Sequence, residues 1–246
     1  GIIYDRNKIE LVWNKNLDDT DAGTTNNDFP IRAYKPNGFA HLLGYVSYPS
    51  KDSKGIYWQT NFVGKDGLEK EYNEQLEGAN GLKIVETDVS GKIQSENIVN
   101  APKRGVDLVT TIDSRVQAQL FNFIKTLSET NSFQGGAGII MDIKTGEVLT
   151  STSFPEYNSE ILSLGKDSTT INDYLNDKRK VFLDKTISGL YTPGSIIKPF
   201  VAMGALNEKV IDPITKILSA GSKSIPNPYY PEQKTVFNVW RAQGCF

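Results

Sequence analysis

The chain has 246 residues, 38% of them hydrophobic and 23% charged, with a formal net charge of −2. That suits one large or two smaller globular domains. It gives no basis for nucleic acid or an anionic membrane surface as partner, and no run reaches the ~20 apolar residues of a membrane span. The single cysteine, Cys245, excludes an internal disulfide, and with His41 as the one histidine there is no His/Cys metal cluster. No cofactor motif is present either.

In chain order, residues 1 to about 104 read as short strands broken by polar and glycine-rich stretches. Residues 18–28 read as an exposed loop. His41, among apolar neighbours, reads as a packed structural histidine. Residues 68–76 have helical spacing. Residues 84–87 and 92–94 read as strands about a turn at Ser90-Gly91, with Ser95-Glu96-Asn97 in a polar connector behind them. A boundary is expected at 101–105. Residues 106–112 then read as a strand, and Asp113 as a helix N-cap. Val116, Leu120, Phe123, Ile124 and Leu127 recur at 3.6-residue spacing, the pattern of an amphipathic helix. The apolar runs 137–143 and 147–152 flank Lys144-Thr145-Gly146, which is hairpin grammar. Residues 171–182 have helical potential. Phe200, Val201, Met203 and Leu206 suit a mostly buried helix that ends by Val210, ahead of Asp212-Pro213. Residues 219–231, with three prolines, read as loop.

The run Tyr191-Thr192-Pro193-Gly194-Ser195-Ile196-Ile197-Lys198-Pro199 carries chemistry. A serine hydroxyl needs a base beside it to act as a nucleophile. Positions i and i+3 share a helix face, so the Lys198 amine can reach the Ser195 hydroxyl. Pro193-Gly194 supply a turn before the helix, and the free N–H groups of its first turn favour negative charge near Ser195. With one distant histidine, a serine–lysine pair is favoured over a Ser-His-Asp triad. S-x-x-K alone is weak, because a chain of this length holds about one by accident. A second copy, Ser163-Leu164-Gly165-Lys166, has glycine inside it and makes a poor helix start.

The surroundings of Ser195 are more specific. Residues 187–200 resemble the active-site serine segment of class B penicillin-binding proteins, peptidoglycan D,D-transpeptidases. Gly1-Ile2-Ile3-Tyr4-Asp5-Arg6-Asn7 resembles the R-G-x-I-Y-D-R-N-G that opens their extracytoplasmic part. Residues 39–46 resemble A-H-x-L-G-Y-V, and Gly67-Leu68-Glu69 with Tyr72, Leu76 and Gly78 resemble G-L-E-x-x-Y-x-x-x-L-x-G. Residues 108–113 with Gln117 resemble L-x-x-T-I-D-x-x-x-Q, and 138–155 resemble the hairpin D-x-x-T-G-E-V-L-x-x-x-S-x-P. Phe237, Trp240 and Gly244 resemble the W-x-x-x-G of elongation-type members. The matches run in the family's order from end to end.

The resemblance implies an α+β chain. A mixed, β-rich pedestal or dimerisation-like domain spans 1–104, with a shortened head because only residues 8–37 fill the family's larger insertion. The N-terminal part of a transpeptidase domain, an antiparallel sheet with helices, spans 105–246. It implies Ser195 as nucleophile, with its backbone N–H in the oxyanion hole, and Lys198 as general base. Stem peptides and β-lactams are the implied ligands, and a membrane glycosyltransferase the implied partner. A membrane anchor is expected upstream of Gly1, placing the protein at the extracytoplasmic face of the bacterial membrane. The family's S-x-N and K-T-G motifs follow the serine, and this chain ends at Phe246 before either, so the fragment is expected to be weakly active or inactive. The literal Ser95-Glu96-Asn97 and Lys144-Thr145-Gly146 precede Ser195, the wrong order, and are not assigned to the site. Asp184-Lys185-Thr186 stands where the family has N-R-A, and Cys245 where elongation-type members tend to have histidine. Two other readings share part of this pattern. One is a serine β-lactamase or β-lactam sensor, against which the first hundred residues argue. The other is a non-catalytic scaffold of the elongation machinery with Ser195 as a mere cap.

Overall fold

A computed structural model describes residues 1–15, 29–90, 93–216 and 221–238. They form two compact units, Gly1–Leu190 and Tyr191–Phe246. The first unit opens with β1 (Ile3–Tyr4) and β2 (Glu10–Lys15). The turn between them is organised by Asp5, whose carboxylate accepts the backbone N–H groups of Asn7 (2.7 Å), Ile9 (2.8 Å) and the distant Ser114 (3.2 Å). Burial opposes ionisation of Asp5. Its hydrogen bonds from Ile9, Ser114 and Asn7 outweigh that and hold the carboxyl below the ordinary aspartate range.

β3 (Ile31–Tyr34) pairs antiparallel with β2, Val12 opposite Tyr34. Then follow α1 (Ala40–Leu43), the short strands β4 (Val46–Ser47), β5 (Ser50–Lys51), β6 (Tyr57–Gln59) and β7 (Val63–Gly64), and the helices α2 (Gly67–Glu71) and α3 (Asn73–Glu77). The helical spacing at 68–76 therefore resolves into two helices, broken at Tyr72, and the Asn73 side chain accepts the Gly64 N–H at 2.7 Å. Ile3, Leu11, Val12, Phe39, Leu43, Leu76 and Ile112 bury one core. Each large side chain so buried contributes about 1.5–3 kcal/mol. Arg32 and Glu69, both buried, form an ion pair at 2.7 Å beside this core. Arg32 also donates to the Gly1 carbonyl and to Asn14 Oδ1.

β8 (Leu82–Thr87) and β9 (Ile93–Asn100) form a hairpin. It is longer than the sequence suggested. Ser95-Glu96-Asn97 is strand, not connector: Asn97 pairs with Ile84, and the Ser95 hydroxyl donates to Glu86 at 2.7 Å. The polar side chains misled because this hairpin is largely exposed and its strands need no apolar face.

The stretch after 105 returns to the first sheet. β10 (Leu108–Val109) lies parallel to β1, giving the order β10-β1-β2-β3. Only two of the seven residues expected as strand are strand, although hydrogen bonds continue from Arg6 N–H to the Ile112 carbonyl. Asp113 then caps α4 (Ser114–Thr130), accepting the N–H groups of Arg115 (3.0 Å) and Val116 (3.3 Å). α4 packs on the hairpin of β11 (Gly136–Met141) and β12 (Val148–Phe154). Gly136 and Gly138 permit the close approach: a Cβ there would meet Ile124 at 2.8 Å and Leu120 at 2.9 Å.

The buried face of α4 is Ser114, Gln117, Phe121 and Ser128, while Phe123 and Leu127 are 70% and 58% exposed. The apolar stripe thus identified the core face only at Leu120 and Ile124, which meet the glycines of the hairpin. Gln117 did that work through hydrogen bonds, donating to the carbonyls of Gly38 (2.7 Å) and Ser151 (2.8 Å) and accepting the Ser151 N–H (2.8 Å). α5 (Ser159–Leu164), unforeseen, is capped by Asn158, and α6 (Ser168–Asn176) by Asp167. The helix expected to run to 182 stops at Asn176, where Asp177 turns extended.

In the second unit a 3₁₀ turn, Gly194–Ile197, leads into α7 (Lys198–Asn207). β13 (Ser222–Pro226) and β14 (Lys234–Asn238) then pair antiparallel. The prolines suggested loop at 219–231. Instead Pro226 ends β13, and the loop proper is the connection from Asn227 to Gln233. α7 is apolar on every side, a pattern usually buried. Yet Phe200, Val201 and Met203 are 67%, 62% and 65% exposed, so the described residues do not enclose it. Trp240, Gly244, Cys245 and the 18–28 loop lie outside the described residues.

Candidate active site

Gly194 has φ +58°, a conformation glycine adopts without strain. It follows Pro193 and starts the 3₁₀ turn. The Lys198 N–H donates to the Ser195 carbonyl, closing an i to i+3 ring. In that geometry side chains three apart eclipse. Lys198 therefore projects from the same face as Ser195, one turn on. Pro199 occupies the first turn of α7, where its missing N–H costs nothing. Neither the 3₁₀ turn nor α7 has a side-chain cap. Both Ser195 and Lys198 are exposed, and no hydrogen bond joins hydroxyl to amine among the described residues.

The other singled-out residues have structural places. His41 is buried, its Nε2 2.8 Å from the Val181 carbonyl and its ring edge-on to Tyr157 at 5.1 Å. Burial pushes its pKa down, so the ring is held neutral, donating through Nε2. Lys144-Thr145-Gly146 forms the β11–β12 turn. The Asp142 carboxylate accepts the Lys144 (2.8 Å) and Thr145 (3.3 Å) N–H groups, and the Gly146 N–H donates to the Asp142 carbonyl. Ser163 lies in the last turn of α5, buried, its hydroxyl accepting the Val46 N–H at 3.2 Å. Gly165 then ends that helix in the left-handed region, so the second S-x-x-K sits at a helix end, not a start.

Three positions escaped the sequence reading. Gln117, a motif residue in the sequence, is the fully buried clamp between β12 and the Gly38 carbonyl. Glu156 accepts the N–H groups of Gly38 (2.7 Å) and Ala40 (3.0 Å), and burial pushes its pKa up despite those bonds. Lys185 is buried, with its pKa lowered by desolvation and by Arg179. An acid after proline and a lysine in a polar run gave no local signal of burial. Among the described residues no group of three His, Cys, Asp or Glu could hold a metal ion.

Residues 13–110 match the penicillin-binding protein dimerisation domain, and residues 136–243 the penicillin-binding protein transpeptidase domain. The chain belongs to the class B penicillin-binding proteins. It is 32% identical over 221 residues to the peptidoglycan D,D-transpeptidase MrdA of Acinetobacter baumannii, covering 86% of this chain and 31% of that relative. It spans about a third of the length of such relatives. Among solved structures, Pseudomonas aeruginosa PBP2 in complex with WCK 5153 matches all of this chain and 47% of its own, with 25% identity and a TM-score of 0.68. Helicobacter pylori PBP2 in complex with MreC matches the fold at 22% identity and a TM-score of 0.69, over 100% of this chain and 57% of that one. The α+β architecture of penicillin-binding proteins is thereby established for the chain.

Proposed function

We propose that this chain belongs to an elongation-type peptidoglycan D,D-transpeptidase. In this reading residues 1–104 are its pedestal and 105–246 the first part of its catalytic domain. The observation that carries the reading is the uncapped helix start that stacks Lys198 on the face of Ser195. Ser195 Oγ attacks the carbonyl of a D-Ala-D-Ala stem peptide while Lys198 Nζ takes its proton. D-Ala leaves with a proton on its amine, and an ester joins the stem to Ser195. The amine of a neighbouring stem then attacks that ester, forming the cross-link and returning the hydroxyl. The Ser195 N–H, free at the helix start, stabilises the oxyanion. A penicillin follows the same path and stops at the ester.

The same reading places the protein at the extracytoplasmic face of the bacterial membrane, held by a segment outside this sequence. No helix among the described residues is long and apolar enough to cross a membrane. Partners in cell-wall synthesis, a membrane glycosyltransferase first, fit a family in which a PBP2 has been solved with MreC.

Fluorescent penicillin tests the reading. A polypeptide of the relatives' full length is labelled stoichiometrically at Ser195, and Ser195→Ala abolishes the label. The 246 residues by themselves, about a third of such a relative's length, label more slowly. An unlabelled extended protein favours the scaffold reading instead.

A further inference from the structure

The β5–β6 hairpin, which no step above uses, carries apolar side chains on both sides. Side chains alternate along a strand. Tyr57 and Gln59 face the body of the unit. The Tyr57 ring is edge-on to Phe29 at 5.7 Å, and the Gln59 amide donates to the carbonyls of Ser47 (3.3 Å), Tyr48 (3.0 Å) and Asn61 (3.0 Å). Ile56 and Trp58 take the other side and are 64% and 69% exposed.

The backbone of the turn that presents them is bonded to itself. The Asp52 N–H donates to the Ile56 carbonyl (2.8 Å), and the Gly55 N–H to the Asp52 carbonyl (3.0 Å). The Asp52 carboxylate accepts the N–H groups of Lys54 (2.9 Å) and Ile56 (2.8 Å). Both polar groups of the Ile56 backbone are therefore engaged, the condition for leaving water for an apolar medium. Lys54 is exposed at the tip, and Lys51 lies over the Tyr57 ring, 4.5 Å from its centroid.

Size constrains what covers Ile56 and Trp58. Two such side chains offer on the order of 300 Å², against about 800 Å² per partner in a stable protein interface. That is too little for a second copy or a protein partner. A bilayer takes up a small tip by partition, with indole and lysine together at headgroup level. We propose that the β5–β6 tip is a membrane contact, in which Ile56 and Trp58 enter the interfacial layer of a lipid bilayer while Lys51 and Lys54 lie among its phosphates. The attachment is mainly apolar, in keeping with a net charge of −2. The hairpin is rooted near Gly1. Arg32 donates its guanidinium to the Gly1 carbonyl (2.8 Å) and its N–H to the Tyr48 hydroxyl (2.6 Å), and the rings of Tyr48, Phe62 and Phe29 lead on to Tyr57. The choice of lipid rests in this respect on the reading above, in which a segment outside this sequence holds the protein at the membrane. Beside such a tether the tip acts at high effective concentration, so weak partition suffices. A second point of contact then limits rotation of the first unit about its tether.

The test is flotation of the 246-residue chain with phosphatidylcholine vesicles. Partition at millimolar lipid is expected, reduced about tenfold or more by joint Ile56→Ser and Trp58→Ser substitution. Both side chains are exposed, so the denaturation midpoint of the double variant stays that of the parent. Phosphatidylcholine brominated near the headgroup end of its acyl chains quenches tryptophan emission, and Trp58→Phe removes that quenching while keeping most of the partition. No flotation, flotation unchanged in the double variant, or quenching that survives Trp58→Phe overturns the contact. So does binding that needs anionic phosphatidylglycerol and vanishes in salt, which is adhesion by charge. A concentration-dependent dimer lost in the double variant overturns it too, giving the patch to a second copy. If penicillin labels Ser195 in the extended protein while the vesicles fail, only this inference falls. If the vesicles bind and Ser195 stays unlabelled, only the transpeptidase reading falls.

Discussion

Two helix starts in this molecule are built in opposite ways. α4 begins at Asp113, whose carboxylate takes up two first-turn N–H groups, and the next residue, Ser114, donates its N–H to the buried Asp5. The helix of Ser195 begins with Gly194 at positive φ, has no side-chain cap and is exposed. A helix start that serves the fold spends its orphan N–H groups internally. One that serves chemistry keeps them for an incoming oxyanion. α1, α2 and α3 also start without a side-chain cap, so what sets the Ser195 turn apart is an open start that carries an exposed serine and lysine three residues apart.

The contrast can be broken most decisively at Arg32, in the region that serves the fold. Removing one partner of a buried pair strands the other charge, so Arg32→Ala should cost about 3–5 kcal/mol in chemical denaturation. A loss below 1 kcal/mol would show that Glu69 relaxes to water and that this region is not held as described. Gln117→Ala comes next. It removes the partner of the Ser151 N–H and carbonyl, while the Gly38 carbonyl keeps the Thr152 hydroxyl, and should cost about 1–3 kcal/mol. Asp113→Ala should cost about 1 kcal/mol, whereas Ser195→Ala should leave stability within about 0.5 kcal/mol. Equal losses at the two helix starts would erase the distinction between them.

The smallest effect is in pH. The folded-state pKa of Asp5 is depressed, so its contribution is fully present above the unfolded aspartate value of about 3.9 and is lost as pH falls below it. Asp5→Asn should flatten that acid limb of the stability curve. His41 adds a separate, milder slope. Its pKa is lowered on folding, so the unfolded chain binds the extra proton and stability declines as pH falls through about 6.5. An unchanged slope in His41→Gln would mean the ring titrates freely in the folded protein.

What was legible in the sequence was local. The Asp113 cap, the Lys144-Thr145-Gly146 turn, the Ser90 hairpin and the helix start at Ser195 each depend on three to six consecutive residues with fixed backbone demands. What was not legible depended on partners far away. Gln117 is buried because Gly38 and Ser151 are brought to it, and no periodicity reports that. The stripe through Phe123 and Leu127 has the right spacing, yet the described residues leave it open. β13 hid behind prolines, since Pro226 can close an edge strand as its last residue. The family resemblance carried the fold and the order of the parts, and the spacing of Ser195 and Lys198 is what the proposed chemistry rests on.

The parallel pairing of β1 with β10 has a kinetic consequence. Ile3 meets Leu108, a separation of 108 − 3 = 105 residues. At roughly 5–20 residues per second of synthesis, β1 waits about 5–20 s for that neighbour. Until then its β10-facing edge is unpaired, an open template for another chain. Loop closure over such a span is also slow to nucleate. Of these two paired strands, β1 is made first and is finished only when β10 arrives. A β1 peptide is the natural competitor for probing how this sheet closes.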